Sequence, residues 1–138
     1  MQIGVDSQRA VENKRVFVVD DDDVVGTALQ FMLADEMETH VFADLASALA
    51  VAAATPPDLV LLGAGLLAGD AVTRLRAELP QVRMLIVCSD ADDDAVRQAL
   101  AAGAQSTLLR PLKVENVRRK VDAQLGRRAA LEIPVVTR

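Results

Sequence analysis

The sequence predicts a doubly wound α/β fold in which five parallel strands form one sheet with helices on both faces. Short apolar runs of strand length alternate along the chain with segments whose apolar residues recur at spacings of three and four. Most of the strand runs are apolar throughout, which is typical of strands buried on both faces. Strands that alternate with helices in this way form parallel sheets covered by helices on both sides.

Five strands are predicted, in order, from the runs at residues 16–19, 39–42, 59–62, 84–88 and 107–109. A helix follows each strand. The first helix begins after an N-cap at Asp22 or Asp23. Its inner face is predicted from residues with helical spacing: Val25, Ala28, Leu29, Met32 and Leu33.

Prolines and a glycine mark the ends of the next three helices. The second helix is alanine-rich, begins at Asp44 and extends to about Ala54, ahead of two consecutive prolines. The third is predicted from Val72, Leu75 and Leu79, before Pro80, and the fourth spans residues 92–102, before Gly103. The fifth is predicted from one apolar row: Val114, Val117, Val121 and Leu125.

Length and composition indicate a single globular domain. The chain has 138 residues, of which 51% are hydrophobic, and its net charge is −5. An acidic chain without a long apolar segment predicts a cytoplasmic protein that binds neither nucleic acid nor membrane. We expect a domain at residues 14–126, a polar extension at 1–13 and a tail at 127–138, where Pro134 excludes a central strand.

Residues with possible chemical roles follow the predicted strands. Asp20 and Asp21 come after the first strand, Gly63 after the third, Ser89 after the fourth, and Arg110-Pro111 after the fifth. In order and spacing these motifs resemble the receiver domains of two-component response regulators over about residues 14–126. The resemblance implies a flavodoxin-like sheet with strand order 2-1-3-4-5.

The resemblance also implies a role for each motif. Asp20 and Asp21, with the backbone carbonyl of Gly65, match the residues that hold Mg²⁺, a hard ion that prefers oxygen ligands. Ser89 matches the hydroxyl that binds the phosphoryl group. Pro111 matches a proline that follows a cis peptide bond.

Three positions depart from the family pattern. Gly63 stands where the family has the phosphoryl-accepting aspartate, Arg110 replaces a lysine, and Thr107 replaces an aromatic residue that usually rotates on activation. With one carboxylate missing, we expect Arg110 to pair directly with Asp20 or Asp21. That pair would compete with Mg²⁺, so metal affinity should be weak and no other cofactor is expected.

The predicted function is phosphorelay signalling by a non-enzymatic pseudo-receiver that acts through protein contacts without phosphorylation on aspartate. The expected partner is a histidine kinase or another signalling protein. The resemblance implies a homodimer face made by the fourth helix, fifth strand and fifth helix. Two alternatives remain: phosphorylation elsewhere, at Ser89, Asp20 or Asp21, and a small-ligand sensor that uses the space left at Gly63.

The aspartates after the first and fourth strands also allow two interpretations. Residues 20–23 and 90–94 are rich in aspartate and precede helices. Carboxylates at these positions cap free N–H groups and favour the positive end of the helix dipole. The alternative is an acidic surface that binds a basic partner.

Overall fold

Five parallel strands make up the sheet, in the order β2-β1-β3-β4-β5. The computed structural model describes residues 14–126, so the predicted extension and tail lie outside the described residues. The strands are β1 (Arg15–Val19), β2 (Glu38–Phe42), β3 (Leu59–Gly63), β4 (Arg83–Cys88) and β5 (Ser106–Leu109). The helices are α1 (Asp23–Leu33), α2 (Leu45–Ala52), α3 (Ala71–Glu78), α4 (Asp94–Ala102) and α5 (Val114–Leu125). The predicted fold class and strand order are confirmed.

Alternate residues of each central strand enter different cores, because successive side chains of a strand point to opposite faces. Phe17, Val19, Leu62 and Ile86 lie in the core covered by α2, α3 and α4. The other face is covered by α1 and α5, and its core residues are Val16, Val18, Leu59, Leu61, Leu85, Val87 and Leu108. These strands are therefore apolar throughout because both of their faces are buried.

The strand register brings the carboxyl ends of the strands to one edge. Val19 is paired with both Phe42 of β2 and Leu62 of β3. Gly63 is paired with Val87. The next residue of β4, Cys88, is paired with Leu109. The residues that follow β1, β3, β4 and β5 consequently lie side by side.

The helix starts follow the capping aspartates. Asp22 caps α1, where its Oδ1 accepts a hydrogen bond from the Val24 N–H at 2.9 Å. Asp44 caps α2 by accepting from the Ser47 N–H at 2.7 Å. The fourth helix starts at Asp94, later than predicted. Asp92 and Asp93 are outside it, because Asp93 serves as the N-cap and N-caps are not helical.

Two helices end earlier than their apolar spacing predicts. The last helical residue of α2 is Ala52, because the chain must leave the helical conformation before its two prolines. The third helix ends at Glu78. Leu79 is its C-cap, and its φ of −132° and ψ of 73° are outside the helical region, yet it still packs against the core.

Arg118 of α5 fastens the fifth helix to the end of the first. Its guanidinium donates to the Met32 carbonyl at 2.9 Å and to both carboxylate oxygens of Asp35 at 2.8 and 3.0 Å. It also forms an ion pair with Glu36 at 3.2 Å. The Arg118 side chain therefore binds three residues at and just beyond the end of α1: Met32, Asp35 and Glu36.

We expect Arg118→Ala to lower the free energy of unfolding by about 1–2 kcal/mol, because it removes several charge-assisted hydrogen bonds. Urea denaturation measures the change. The matched control is Arg119→Ala, which removes the same charge from a neighbouring side chain whose hydrogen bond is to the nearby Asn116. Equal losses in the two variants would contradict the role assigned to Arg118.

Candidate functional site

The site lies at the carboxyl edge of the sheet. Asp20 and Asp21 follow β1, Gly63 ends β3, Ser89 follows β4 and Arg110 follows β5. The sheet order places β1, β3, β4 and β5 next to one another. The residues singled out in the sequence are therefore brought to one region.

Asp20 is the one acidic side chain of this region that is turned into the protein. It is 8% exposed, and its Oδ1 accepts a hydrogen bond from the Asp22 N–H at 2.9 Å. Burial raises the pKa of the Asp20 carboxyl above its usual range. The Asp22 N–H opposes this rise in pKa, and the negative charges of Asp21 and Asp22 add to it.

The Asp20 carboxylate fills the space that a side chain at Gly63 would need. A Cβ built on Gly63 would lie 2.3 Å from Asp20 Oδ2 and 2.5 Å from Asp20 Cγ. The register explains this proximity: Val19 is paired with Leu62, so the next residues, Asp20 and Gly63, are lateral neighbours. The space left by the missing aspartate is occupied by its neighbour's carboxylate.

Asp21 leans towards the turn that follows β3. This turn is a short 3₁₀ helix, Ala64–Leu66. A Cβ on Gly65 would lie 3.0 Å from Asp21 Oδ1, but Asp21 is exposed and has room to move. The two aspartates therefore differ: Asp20 is enclosed beside Gly63, and Asp21 lies open beside Gly65.

The carboxylates leave few ligands for the Mg²⁺ ion implied by the resemblance. Within residues 14–126 there is no group of three His, Cys, Asp or Glu side chains that could hold a metal ion. One oxygen of Asp20 accepts a backbone hydrogen bond, and the other lies against Gly63. The donors left facing solvent are Asp21 and the backbone, so a bound Mg²⁺ would keep most of its water ligands, and weak affinity stays a prediction.

The predicted ion pair of Arg110 is wrong. The Arg110 side chain is exposed, and no ion pair within the described part of the chain includes it. Its positive charge still lowers the pKa of Asp20, but this is the smallest of the named influences on that carboxyl. The backbone of Arg110 is fixed by its N–H, which donates to the Cys88 carbonyl at 2.9 Å. The guanidinium does not fill the site because the Asp20 carboxylate already does so.

The other matched positions differ in exposure. The Arg110–Pro111 peptide bond is cis, as the resemblance implied. Ser89 is exposed just beyond β4. Thr107 is 9% exposed and lies inside β5 in register with Ile86. Its carbonyl accepts from Lys120 Nζ, a link between β5 and α5 that the sequence patterns did not indicate.

Two of the other acidic residues of this edge, Asp22 and Asp93, act as helix caps. Asp93 Oδ2 accepts from the Ala95 N–H at 3.1 Å, and Asp90 Oδ1 accepts from the Asp92 N–H at 2.9 Å. Asp22 acts in the same way at α1. These hydrogen bonds give Asp22, Asp90 and Asp93 roles within the domain, and the capping interpretation holds for Asp22 and Asp93.

Comparison with known proteins identifies the family. A sequence model of the response regulator receiver domain matches residues 16–122. The chain belongs to the response regulator receiver domain family. Receiver domains of this family act in two-component signalling, so the resemblance recognised from the motifs is confirmed.

Curated relatives of this receiver domain are transcriptional and signalling regulators. The DNA-binding transcriptional activator DevR/DosR of Mycobacterium tuberculosis is 32% identical over 120 residues, which are 82% of this chain and 55% of the relative. The response regulator protein VraR of Staphylococcus aureus is 31% identical over 75% of this chain and 52% of its own length. The chain therefore spans about half the length of these relatives.

The prediction that excluded nucleic acid as a partner is wrong. DevR/DosR is itself a DNA-binding protein. The exclusion rested on the net charge of −5, a property of this chain as a whole. Net charge does not report what a regulator that contains a receiver domain binds through its other half.

Solved structures share the fold. The receiver domain of NtrX from Brucella abortus superposes with a TM-score of 0.73 at 24% identity, over 80% of this chain and 98% of that one. The chemotaxis response regulator CheY4 of Vibrio cholerae also gives 0.73, at 19% identity, over 81% of this chain and 98% of that one. Over residues 14–126, no helix is both long and apolar enough to cross a membrane.

We expect Gly63→Ala to lower the free energy of unfolding by about 1–3 kcal/mol, because the new methyl group forces the Asp20 carboxylate out of its place. The backbone at Gly63 has φ −69° and ψ 139°, so the cost comes from contact and not from conformation. Denaturant unfolding measures it.

Two variants separate the contact from other effects. In an Asp20→Ala background the penalty of Gly63→Ala should shrink, because the residues are coupled through this one contact. The matched control, Gly65→Ala, should cost less, since Asp21 is exposed and can move away. An unchanged penalty in the Asp20→Ala background would refute the assigned contact.

The raised pKa of Asp20 predicts a pH dependence of stability. The folded protein binds the Asp20 proton more tightly than the unfolded chain does. The contribution of Asp20 to the free energy of unfolding is therefore fully present below the ordinary pKa of aspartate, and it is lost as the pH rises through the raised pKa. We expect Asp20→Asn to remove this fall. Unfolding midpoints measured across the acidic range test it, with Asp21→Asn as the exposed control. A fall of the same size in Asp20→Asn and the wild type would exclude Asp20 as its source.

Proposed function

We propose that this chain is a receiver domain that signals through protein contacts without accepting a phosphoryl group on aspartate at the carboxyl edge of its sheet. The observation that carries the proposal is the placement of the Asp20 carboxylate against Gly63. The nucleophile is missing, and the space it would occupy is filled.

The surrounding residues support the same function. A phosphoryl group needs a carboxylate to accept it and cations to hold its negative charge. Gly63 supplies no carboxylate, and Arg110 lies exposed without an ion pair among the described residues. Asp20 is enclosed and Asp21 is exposed, so few oxygen donors remain for a magnesium ion beside Gly63. Each element of the phosphoryl chemistry is therefore weakened, while both cores that support the fold are complete.

Neither Asp58 nor Asp20 is placed to substitute for the missing carboxylate. Asp58 lies on the same chain segment but at the opposite end of β3, where its carboxylate accepts from the Arg15 N–H at 2.8 Å. Asp58 is five positions before Gly63, which is about 16 Å along a strand. Asp20 is enclosed and hydrogen-bonded, so it presents no free oxygen for attack on a phosphoryl donor.

Incubation of the chain with acetyl phosphate and Mg²⁺ tests the proposal. We expect no acid-labile mass increase of one phosphate by intact-protein mass spectrometry, because there is no accepting carboxylate at the end of β3. A response regulator that keeps the aspartate, treated in parallel, shows that the reagent is active. Phosphate mapped to any aspartate would overturn the proposal.

A second experiment tests whether the exposed Ser89 hydroxyl, which follows β4, is phosphorylated. The chain and its Ser89→Ala variant are incubated with a histidine kinase and ATP, and phosphorylated sites are mapped. We expect neither protein to be labelled. Labelling that is lost in Ser89→Ala would replace the proposal with phosphorylation at Ser89.

A further inference from the structure

The first helix carries an apolar stripe on its outer surface. Val24 is 76% exposed and Phe31 is 82% exposed, although both are large hydrophobic residues. Together with Thr27 and Ala28 they line a shallow groove, with Asp23 at one end. Positions 24, 27, 28 and 31 are spaced as one face of a helix, so this outer stripe is continuous. The buried face of α1 is a different one, made by Val25, Leu29 and Leu33.

The outer stripe borders α5 and not β2. Val24, Ala28 and Met32 form one row at spacing four. Met32 packs against the core shared with α5, and its carbonyl accepts from Arg118. On the other side of α1, the Gln30 side chain donates to the Thr39 carbonyl of β2.

The chain leaves the described domain on the same side of the sheet as this stripe. Leu125, the last residue of α5, packs into the same core as Leu33 and Met32 at the end of α1. Twelve residues follow Gly126 in the sequence. The five residues 127–131 can span up to about 17 Å when extended, enough to pass from the end of α5 to a neighbouring helix.

The pattern of the following segment matches the stripe in length. Leu131, Ile133 and Val135 alternate with other residues, so in an extended conformation they share one face. Leu131 and Val135 would be about 13 Å apart at the rise of a strand. Val24 and Phe31 are about 10 Å apart along a helix.

The charges at the ends of the two features are complementary. Asp23 borders the stripe at the start of α1, and Asp35 lies just past its end. In the segment, Arg127 and Arg128 precede the apolar residues, and Arg138 follows them. A segment that entered at the Phe31 end would place Arg138 near Asp23, and its first arginines near Asp35, whose carboxylate already pairs with Arg118.

We propose that residues 131–136 of this chain dock in extended conformation on the outer stripe of α1, antiparallel to the helix. Leu131 covers Phe31, and Val135 covers Val24. Docking removes the largest exposed side chain of the domain from water and fixes the direction in which any following chain departs. The inference is independent of the phosphorylation state proposed for the site at the carboxyl edge.

Paramagnetic relaxation measured on the full chain tests the docking. A nitroxide is attached to Val136→Cys, whose side chain would face away from the stripe, while the native Cys88 is buried. We expect strong loss of amide signal for Val24, Thr27 and Phe31, and little loss for α3 on the opposite face of the sheet. Signal loss no greater in α1 than in α3 would overturn the proposal.

Variants and a mixing control identify the contact. In the labelled chain, Phe31→Ser or the double change L131S/I133S should restore the α1 signals. Val51→Ser is the matched control, because Val51 is exposed on α2, and should leave the signal loss unchanged. In a mixture of spin-labelled chains with isotope-labelled chains that lack the nitroxide, we expect no signal loss. Loss in that mixture would assign the stripe to a second copy and overturn docking within one chain.

Discussion

The contact between the Asp20 carboxylate and Gly63 determines the chemistry of the whole carboxyl edge. Two neighbouring parallel strands end in register, so the residues that follow Val19 and Leu62 compete for the same space. With glycine on β3, the carboxylate from β1 enters that space and becomes buried. An ionisable group in such a place stays charged less readily, which is why its pKa is raised. One missing side chain thereby changes the position, the solvation and the protonation of another.

The same contact explains why the arginine after β5 is not part of the site. A guanidinium attracted to two open carboxylates would be expected to lie between them. Asp20 is instead satisfied by the Asp22 N–H and enclosed by β3, so it offers Arg110 little. Arg110 remains at the surface, where its guanidinium stays hydrated and avoids the free-energy cost of desolvation. The domain keeps the residue order of a receiver while its charged groups are arranged differently.

The sheet and its two covered faces were predictable because they depend on patterns that repeat over many residues, and the strand order followed from the family resemblance. The absence of a carboxylate at position 63 was equally predictable, since it follows directly from the residue type. The location of the Asp20 side chain was not, because a rotamer depends on which neighbouring space is empty. Helix ends moved by one or two residues where a cap or a proline took precedence over apolar spacing, as at Asp93 and Ala52. Phe31 was not among the residues of the inner face predicted from spacing, and its ring is exposed.

The shortness of β5 limits how this domain can associate. At four residues it is the shortest strand, it lies at an edge of the described sheet, and the proline of the cis peptide follows it closely. An edge strand offers unpaired backbone groups to other chains, and a short strand next to a proline offers few of them. Main-chain pairing that would extend the sheet beyond β5 is therefore disfavoured. Association on this side of the molecule has to be specified by side chains, which can change during evolution without altering the sheet.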